Sequence, residues 1–373
     1  MINQTQERKG DHVRICLEED VQAKHVTTGF EDVLFVHRCL PEIDRGKIDL
    51  STKLFDHKFS APLIVGAMTG GTPEATRINR TIAEAVQELG IGMGVGSQRA
   101  AIEDAKLECG FVETRRKAPT AFLIANIGAA QLVQGWRLDQ AQIAVNMIDA
   151  DALAIHLNPL QEAIQPEGET NYVGALRKIK EIAANLSVPV FAKETGAGIS
   201  AEDAKKLEGA GVKAIDVSGA GGTSWAAVEY YRAKHAKEEK GQRLGETFWD
   251  WGIPTAVSIF EVSESVGMPV IASGGIRTGV DAAKALALGA SLVSISAPIL
   301  RPATRSVEQV KKTLGFFIEE LRNTMFLTGV DSIKKLRRAS IVVTGKTTQW
   351  LLMRGYQPKA LARQYDKGRS KQA

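Results

Sequence analysis

The sequence predicts an α/β fold, a closed (β/α)8 TIM barrel with an N-terminal extension and a long loop after strand six. Eight short apolar runs recur after residue 60, and helical patterns lie between most of them. Alternating strands and helices require parallel crossovers, and eight such units favour a closed barrel. An open, doubly wound sheet is the main alternative.

Each apolar run is continuous rather than alternating between apolar and polar residues. Continuous runs are typical of strands that are buried on both faces of a parallel sheet. We therefore predict eight barrel strands, at residues 62–69, 91–97, 121–127, 152–158, 189–195, 214–218, 269–273 and 292–297.

Helical periodicity is found between these strands, at residues 73–89, 138–150, 173–185, 201–208, 255–265 and 280–288. Pro73 and Pro254 stand at the start of two of these helices, and Gly90 and Gly289 follow the end of two, which is the usual asymmetry of helix termini. Residues 307–327 and 332–345 are expected to form helices after the eighth strand.

Three segments are expected along the 373 residues. Residues 1–60 form an N-terminal extension that caps one end of the barrel, and residues 61–345 form the barrel with its C-terminal helices. Residues 346–373 form a basic C-terminal tail, in which positions 354–373 hold six Lys and Arg against the single Asp366. No aromatic-rich basic motif accompanies this charge, so we expect a solvated tail and no nucleic-acid partner.

The loop at residues 219–252 is unusually long for a connection inside a barrel. It combines a run of charges with Trp225, Phe248, Trp249 and Trp251. Loops of this length usually serve as lids, binding loops or subunit contacts. Exposed aromatic residues around 248–251 indicate a homo-oligomer.

The spacing of the cysteines and the hydropathy of the chain indicate the cellular compartment in which the protein is expected. Cys16, Cys39 and Cys109 are far apart and show no metal-ligand spacing, which argues against a disulfide framework or a zinc site and fits a reducing compartment. No stretch is apolar and long enough for a signal peptide or a membrane span. We expect a cytoplasmic protein.

Polar and small residues collect where the predicted strands end. Functional groups of a barrel lie just past the carboxyl ends of its strands. The candidates, in strand order, are Ala67, Met68 and Thr69; Ser97, Gln98 and Arg99; Asn126; His156, Asn158, Gln161 and Glu162; Lys193; Ser218 and Thr223; Gly275, Ile276 and Arg277; and Ser296 and Ala297.

The seventh strand is followed by Ser-Gly-Gly-Ile-Arg-Thr-Gly at 273–279. This loop offers bare backbone N–H groups, the charge of Arg277 and the start of a helix, all of which favour a bound phosphate. Loops after strands seven and eight are a common phosphate site in barrels, so Ser296 and Ala297 belong to the same prediction. No Gly-x-Gly-x-x-Gly follows any strand, so a dinucleotide site of the Rossmann kind is not expected.

Lys193 closes an apolar strand, where it either pairs with a barrel carboxylate or faces an electron-rich ligand. The rims around Thr69, Ser97 and Asn126 are built of small residues that allow a flat ring to lie at the barrel mouth. A cation in that place would stabilise a reduced, anionic flavin.

Several longer motifs stand out over residues 7–353. They include Glu-Arg-Lys at 7–9, Ala-Met-Thr-Gly-Gly at 67–71, Gly-Ser-Gln-Arg at 96–99, His-Leu-Asn-Pro-Leu-Gln-Glu at 156–162, and Phe-Trp-Asp-Trp-Gly-Ile-Pro-Thr at 248–255. On these motifs the chain resembles the type 2 isopentenyl-diphosphate isomerases, which are FMN-dependent barrel enzymes. The segments at 7–9 and 156–162 are the most specific.

The resemblance implies roles for individual residues. FMN would contact Ala67, Met68, Thr69, Ser97, Asn126, Lys193, Ser218 and Thr223, with its phosphate at Gly275, Ile276, Arg277, Ser296 and Ala297. An isoprenyl diphosphate would meet Arg8, Lys9, Ser97, Gln98, Arg99, His156, Asn158 and Gln161. Glu162 would bind Mg²⁺, and Gln161 and His156 would be catalytic.

The reaction implied by the resemblance is the interconversion of isopentenyl and dimethylallyl diphosphates. One proton is added to the terminal carbon and another leaves the neighbouring methylene, so NAD(P)H would serve only to reduce the flavin. An alkene is a poor base, so stabilisation of developing positive charge must dominate. Either Gln161 or N5 of the flavin would deliver the proton.

Two other barrel functions are alternatives. An FMN-dependent oxidoreductase acting on a small acid or a phosphorylated substrate would share the phosphate loop. It would need a His or Cys base after strand six or seven, and none lies near 218–223 or 273–279. A flavin-free phosphosugar isomerase would leave the rims at 67–71 and 218–223 unexplained.

Overall fold

The computed structural model of the protein describes residues 2–363. These residues form twelve β-strands: β1 Val33–Phe35, β2 Thr52–Leu54, β3 His57–Phe59, β4 Leu63–Val65, β5 Gly92–Gly94, β6 Leu123–Gly128, β7 Ala152–Leu157, β8 Val190–Glu194, β9 Ala214–Asp216, β10 Val270–Ala272, β11 Leu292–Ile295 and β12 Ile341–Val343.

Strands β4 to β11 close into a barrel. Each is paired in parallel with its neighbour in sequence, and β11 closes the ring by pairing with β4. The eight predicted strands and the closed (β/α)8 barrel are confirmed, and the doubly wound sheet is excluded. The first two strands end earlier than predicted, at Val65 and Gly94, because the residues after them leave the sheet to form the rim.

Helices surround and extend the barrel. Within the described range the α-helices are α1 Ile2–Glu18, α2 Pro73–Leu89, α3 Arg99–Glu103, α4 Cys109–Lys117, α5 Ala129–Val133, α6 Leu138–Met147, α7 Pro159–Ile164, α8 Ala175–Asn185, α9 Ala201–Gly209, α10 Trp225–His235, α11 Glu239–Thr247, α12 Thr255–Ser263, α13 Gly279–Ala287, α14 Ala297–Ala303, α15 Val307–Leu327, α16 Ile333–Leu336 and α17 Gly345–Met353. Short 3₁₀ helices occur at Phe30–Asp32, Arg45–Lys47, Ala105–Leu107 and Pro358–Arg363.

The apolar core has two layers. The larger layer lies between the strands and the surrounding helices, and the smaller one fills the barrel interior. The hairpin β2–β3 closes the amino-terminal end of the barrel, where the ring of Phe59 lies 5.5 Å from that of Phe122. Because this end is sealed by aromatic packing, a ligand can enter the barrel only from the opposite end.

The N-terminal extension, described from residue 2 onward, also reaches that opposite end. Lys9 of α1 donates a hydrogen bond to the carbonyl oxygen of Ser97 at 2.8 Å, beyond the end of β5. The chain then runs along the loop after β9, where Ala23 N donates to Gly222 O at 2.8 Å. Helix α1 and the residues after it therefore form one wall of the barrel mouth.

The long connection after β9 is confirmed, and it contains the antiparallel helices α10 and α11. It packs against α1 through an apolar cluster that includes Ile15, Val228 and Trp249. The expectation of exposed aromatic residues around 248–251 holds for Trp251, which is 63 % exposed, but not for Trp249, which is buried. Trp249 packs in the apolar cluster against α1, and its indole N–H donates to the Gln22 carbonyl oxygen at 2.8 Å.

The prediction of a helix over 332–345 is wrong in its second half. A short helix, α16, ends at Leu336, and Ile341–Val343 forms β12, which pairs antiparallel with β1. Its β-branched residues suit an extended backbone, and the partner strand lies about 300 residues away, beyond the reach of local periodicity.

The tail predicted at 346–373 is described as far as residue 363, and residues 364–373 lie outside the described range. Its first part forms most of α17, where Leu351 is buried and Trp350 donates to Glu261 Oε1 at 3.0 Å. In the described part of the chain, no helix combines the length and the hydropathy that crossing a membrane requires.

Candidate active site

A cavity of about 260 Å³ opens at the carboxyl ends of the barrel strands. Residues from the rim loops and from α1 line it together. Of the site residues predicted from the sequence, it brings together Arg8, Lys9, Ala67, Met68, Thr69, Ser97, Arg99, Asn126, His156, Asn158, Gln161, Glu162, Lys193, Ser218, Thr223, Gly275, Ile276, Arg277, Ser296 and Ala297.

Gln98 is the predicted site residue that the structure does not bring to the cavity. Its side chain is fully buried and turned away from the mouth. It donates to Ala144 O at 2.8 Å, and its Oε1 accepts from Asn126 N at 2.9 Å. Gln98 therefore ties α6 to β6, and its side chain is not among those that line the cavity.

The loop after β10 has the geometry of an anion site. Gly275 has a φ of 67°, and a side chain there would collide with Thr28 and with the backbone of Gly221. Thr278 caps α13 by accepting from Asp281 N at 3.0 Å, and Gly279 N donates to Glu320 Oε2 at 2.6 Å. The anion site of this loop therefore depends on the backbone around Gly275 and on Arg277 rather than on the first turn of α13. Arg277 donates to Gln22 Oε1 at 2.6 Å, and burial lowers its pKa. Ser296 stands at the start of α14 beside it.

A shelf of small residues, among them Thr69 and Ser218, follows β4 and β9, on either side of this loop in the order of the barrel strands. Thr69 O accepts from Gly96 N and from Asn79 Nδ2, both at 3.1 Å, which fixes the rim after β4. Ser218 has a φ of 39°, a left-handed conformation that costs free energy outside glycine and often marks functional sites. A flat aromatic ring could lie on this shelf with Lys193 beside it.

His156 is neutral near pH 7. Burial, together with the charges of Lys193 and Lys9, lowers its pKa to about 4. Asn126 Nδ2 donates to Val95 O at 3.1 Å, so Asn126 Oδ1 faces His156 Nδ1 at 2.7 Å. The hydrogen of the imidazole is thereby assigned to Nδ1, and Nε2 is an acceptor.

A basic cluster follows β5 and the nearby part of α1. It consists of Arg8, Lys9 and Arg99, all of which line the cavity. Burial and the charges of Arg8 and Arg99 lower the pKa of Lys9 to about 7. Arg8 lies 3.6 Å from Glu167 Oε1, and Arg99 Nε donates to Glu103 at 2.8 Å. The cluster can hold an oligoanion with several cations.

The loop after β7 carries one buried carboxylate. Glu162 accepts from Asn158 Nδ2 at 2.8 Å, Gln165 Nε2 at 2.6 Å and Glu169 N at 2.7 Å. Gln165 Oε1 is buried without a hydrogen-bond partner, which leaves a free oxygen beside this carboxylate. No group of three or more His, Cys, Asp or Glu side chains suited to a metal occurs among residues 2–363. One carboxylate and a neutral oxygen fit Mg²⁺ that takes its other ligands from a phosphate and water.

His12 also lines this cavity, and Glu229 contacts two of its lining residues, although neither was predicted as a site residue. Glu229, in α10, accepts from His12 Nε2 at 2.9 Å and from Gln161 Nε2 at 3.1 Å. His12 stands in the N-terminal motif region, so proximity to Arg8 and Lys9 was a usable signal. Glu229 lies inside the long connection with no motif around it, and only the fold brings it to Gln161.

The barrel and its anion loop define the class of protein. The family model described as FMN-dependent dehydrogenase matches residues 3–122 and 145–343. Solved structures of a mandelate oxidase variant and of a flavocytochrome b2 variant superpose with TM-scores of 0.61 and 0.64, at 19 % and 17 % identity. They cover 92 % of this chain in both cases, and 98 % and 84 % of their own chains. At this identity they show the shared fold alone.

Relatives that are similar in sequence identify a particular family within this class of protein. The isopentenyl-diphosphate delta-isomerase of Methanosarcina barkeri is 51 % identical over 362 residues, covering 97 % of this chain and 98 % of the relative. That of Pyrococcus abyssi is 50 % identical over 363 residues, covering 95 % and 96 %. The chain belongs to the isopentenyl-diphosphate delta-isomerase family, and the resemblance noted from its motifs is confirmed.

Proposed function

We propose that the protein is an isomerase that interconverts isopentenyl and dimethylallyl diphosphates in isoprenoid biosynthesis, with FMN as its resident cofactor. The observation that carries the proposal is one cavity with two anion sites. The loop with Arg277 follows β10, and the cluster of Arg8, Lys9 and Arg99 lies beyond β5, with β11 and β4 between them. One site suits the phosphate of FMN and the other a diphosphate.

FMN would be held by residues of the rim. The ring would lie against Ala67, Met68, Thr69, Ser97, Asn126, Lys193, Ser218 and Thr223, with the phosphate at Gly275, Ile276, Arg277, Ser296 and Ala297. The left-handed backbone of Ser218 and of Gly275 supports this placement, since both residues shape backbone that approaches a ligand closely. When bound and reduced, the flavin supplies an electron-rich ring that stabilises positive charge and carries an exchangeable proton.

The diphosphate would be held by Arg8, Lys9 and Arg99, with Mg²⁺ on Glu162. Neutral His156 presents Nε2 as an acceptor, so its hydrogen bond to a phosphate oxygen needs a proton from the phosphate or from water. Lys9 also gains charge when an oligoanion arrives, because nearby negative charge favours the protonated ammonium.

Chemistry would take place beside Gln161. Its amide nitrogen donates to Glu229, and its Oε1 faces Asn158 Nδ2 at 3.3 Å, so the side chain is held at both ends. The substrate gains one proton at its terminal carbon and loses one from the neighbouring methylene, which leaves its oxidation state unchanged. NADH or NADPH is therefore needed only as a reductant of the flavin.

The alternative function, oxidation of a hydroxy acid, needs a base that can accept a proton from the substrate at neutral pH. Burial raises the pKa of the Cys16 thiol to about 12, so it stays protonated although it lines the cavity. The histidines that line the cavity, as far as the described residues show, are His12 and His156, and neither stands in the loops after β9 or β10. The isomerase is the better-supported function.

The test begins with the visible spectrum of the purified protein, which is expected to be yellow or to become so when FMN is added. Anaerobic reduction should remove the yellow colour and activate isomerisation of the double bond, with many turnovers for each reducing equivalent. A protein that takes up no FMN would overturn the proposal, and so would one NAD(P)H consumed for each product formed.

We also propose a cytoplasmic homo-oligomer. The cysteines within the described residues, Cys16, Cys39 and Cys109, are free, as suits a reducing compartment. Trp251 in the long connection is exposed, and so are Leu34 and Val342 on the β1–β12 ribbon. Gel filtration with light scattering tests the oligomer, and Trp251→Ser should weaken it if the long connection forms the contact.

A further inference from the structure

Lys193 has an acidic neighbour on the adjacent barrel strand. Lys193 of β8 and Asp216 of β9 are partners in the parallel register, so their side chains point to the same face. The Nζ atom lies 3.4 Å from Asp216 Oδ2, and the two side chains are only 12 % and 7 % exposed. An ion pair this deep interacts far more strongly than one in water.

The pair is held in place from both sides. Asp216 Oδ1 accepts a hydrogen bond from Ser273 Oγ, and that oxygen accepts in turn from Ser218 N at 3.1 Å. Lys193 Nζ also donates to Glu194 O at 2.8 Å. An ammonium has three N–H groups, so these contacts leave Lys193 one donor for a ligand.

Two cavities meet at Lys193. It lines the large cavity of the mouth and also a second cavity of about 20 Å³ beneath it, inside the barrel. Asp216 lines the inner cavity, together with Ser294, whose buried hydroxyl oxygen has no partner. The inner space is enough for one water molecule. Asp216 thus lies behind Lys193 and does not itself line the large cavity.

The net charge of the cavity near Lys193 depends on the pair of Lys193 and Asp216. His156 is the register partner of Lys193 on the other side, in β7, and its lowered pKa of about 4 keeps it uncharged at neutral pH. The carboxylate of Asp216 therefore offsets a cation that would otherwise act alone on this part of the mouth.

We propose that Asp216 is a positioning residue that orients Lys193 and offsets its charge, thereby lowering the reduction potential of the bound flavin. The inference rests on the FMN site proposed above. An uncompensated cation would stabilise the anionic reduced ring and raise the potential. The counter-charge leaves that ring less stabilised, and a less stabilised anion is the stronger base, which suits a cofactor used for proton exchange.

The test is the midpoint potential of FMN in the Asp216→Asn holoprotein, measured against a reference dye. Asparagine has the same shape and keeps an acceptor for Ser273. We expect reduced FMN to be bound about tenfold more tightly relative to oxidised FMN than in the wild type, which is a rise of about 30 mV for a two-electron couple. Lys193→Met should move the potential in the opposite direction. If the asparagine variant does not fold, the same measurement is made on Asp216→Ser, which keeps a polar group toward Ser273.

Action through Lys193 is tested in the double variant. Without Lys193, Asp216 has no ammonium to orient or to offset, so Asp216→Asn in the Lys193→Met background should change the potential little. An undiminished rise in the double variant would overturn the inference.

Glu261→Gln is the matched control, because Glu261 is a buried carboxylate paired with Arg354 away from the cavity. It should lower thermal stability and leave the potential unchanged. If Asp216→Asn weakens the binding of oxidised and reduced FMN equally, with no change in potential, its role is structural and the inference fails. A wild-type protein that binds no FMN would overturn the proposed function itself, and this inference with it.

Discussion

Gln161 Nε2 donates a hydrogen bond to Glu229 Oε1 at 3.1 Å, and this bond joins the loop after β7 to helix α10. The same carboxylate accepts from His12 at 2.9 Å and from Arg232 at 2.7 Å. Burial alone would raise the pKa of Glu229, but the bond from His12 and the charges of His12 and Arg232 outweigh burial and lower the pKa to about 2. An ionised carboxylate thus holds three elements together over the mouth.

Glu229→Gln should lower turnover. The neutral amide weakens the bond that fixes Gln161, and a charge-assisted bond contributes about 1.5–3 kcal/mol, so we expect kcat to fall roughly 10–100-fold. KM should change little, since Glu229 does not touch the diphosphate cluster. Steady-state kinetics measures both. Glu167→Gln is the control, because Glu167 pairs with Arg232 and Arg8 but not with Gln161. Equal losses of kcat in the two variants would contradict this role.

Lys9 should make substrate capture depend on pH. Its pKa of about 7 means that the ammonium is charged below pH 7 and loses its proton as the pH rises through 7. An anionic substrate prefers the charged form, so kcat/KM should fall as the pH rises above 7, by up to about tenfold per unit. Arginine stays charged, so Lys9→Arg should flatten this fall. Profiles between pH 6 and 9 that are parallel for the two proteins would remove Lys9 from the diphosphate site.

Substitutions of the neighbours Gln161 and Glu162 should have different effects, one on the chemical step and the other on metal binding. Glu162→Gln weakens the proposed Mg²⁺ ligand, so activity should saturate only at much higher Mg²⁺. Gln161→Ala should lower kcat with little change in KM, the pattern of an interaction made mainly in the transition state. Titrations with Mg²⁺ and substrate give both values. The two residues share α7, so identical effects would indicate only that the helix is disturbed.

Arg277→Ala should loosen the cofactor without abolishing the fold. Loss of a charge-assisted phosphate contact, about 1.5–3 kcal/mol, corresponds to FMN affinity that is roughly 10–100-fold weaker. Fluorescence titration of the apoprotein measures it. Gln22→Ala removes only the partner of the guanidinium at 2.6 Å and should have a smaller effect. Unchanged FMN affinity in Arg277→Ala would place the phosphate elsewhere.

Arg354 should matter for stability rather than catalysis. It pairs at 3.1 Å with Glu261, whose side chain is almost fully buried, and so fastens the segment after α17 to α12. Arg354→Ala leaves that carboxylate buried and unpaired, which should lower the free energy of unfolding by about 3 kcal/mol. The double variant Arg354→Ala with Glu261→Gln should recover part of this loss, because the amide carries no charge. Urea denaturation measures the difference, and equal stability of the two variants would argue against the pair.

Much of the site could be predicted because, in a barrel, the place of a residue along its strand determines the end of the barrel at which it lies. Each apolar run must become a strand, and every parallel strand delivers the residues after it to the same rim. Thr69, Asn126, Lys193 and Arg277 are far apart in the chain, yet the order of strands and helices alone predicts that they meet, and they line one cavity. Gln98 is the exception, since local sequence does not tell which way a rim side chain turns.

The sequence by itself thus determined the barrel, its strand order, the loop suited to phosphate and the family. Only the tertiary structure decided which groups surround the reacting residues. Glu229 reaches Gln161 because α10 packs on α7, and β12 meets β1 from the other end of the chain. Asp216 faces Lys193 because β8 and β9 pair in one particular register. These contacts depend on how distant segments pack, and periodicity or motif spacing carries no information about packing between segments so far apart.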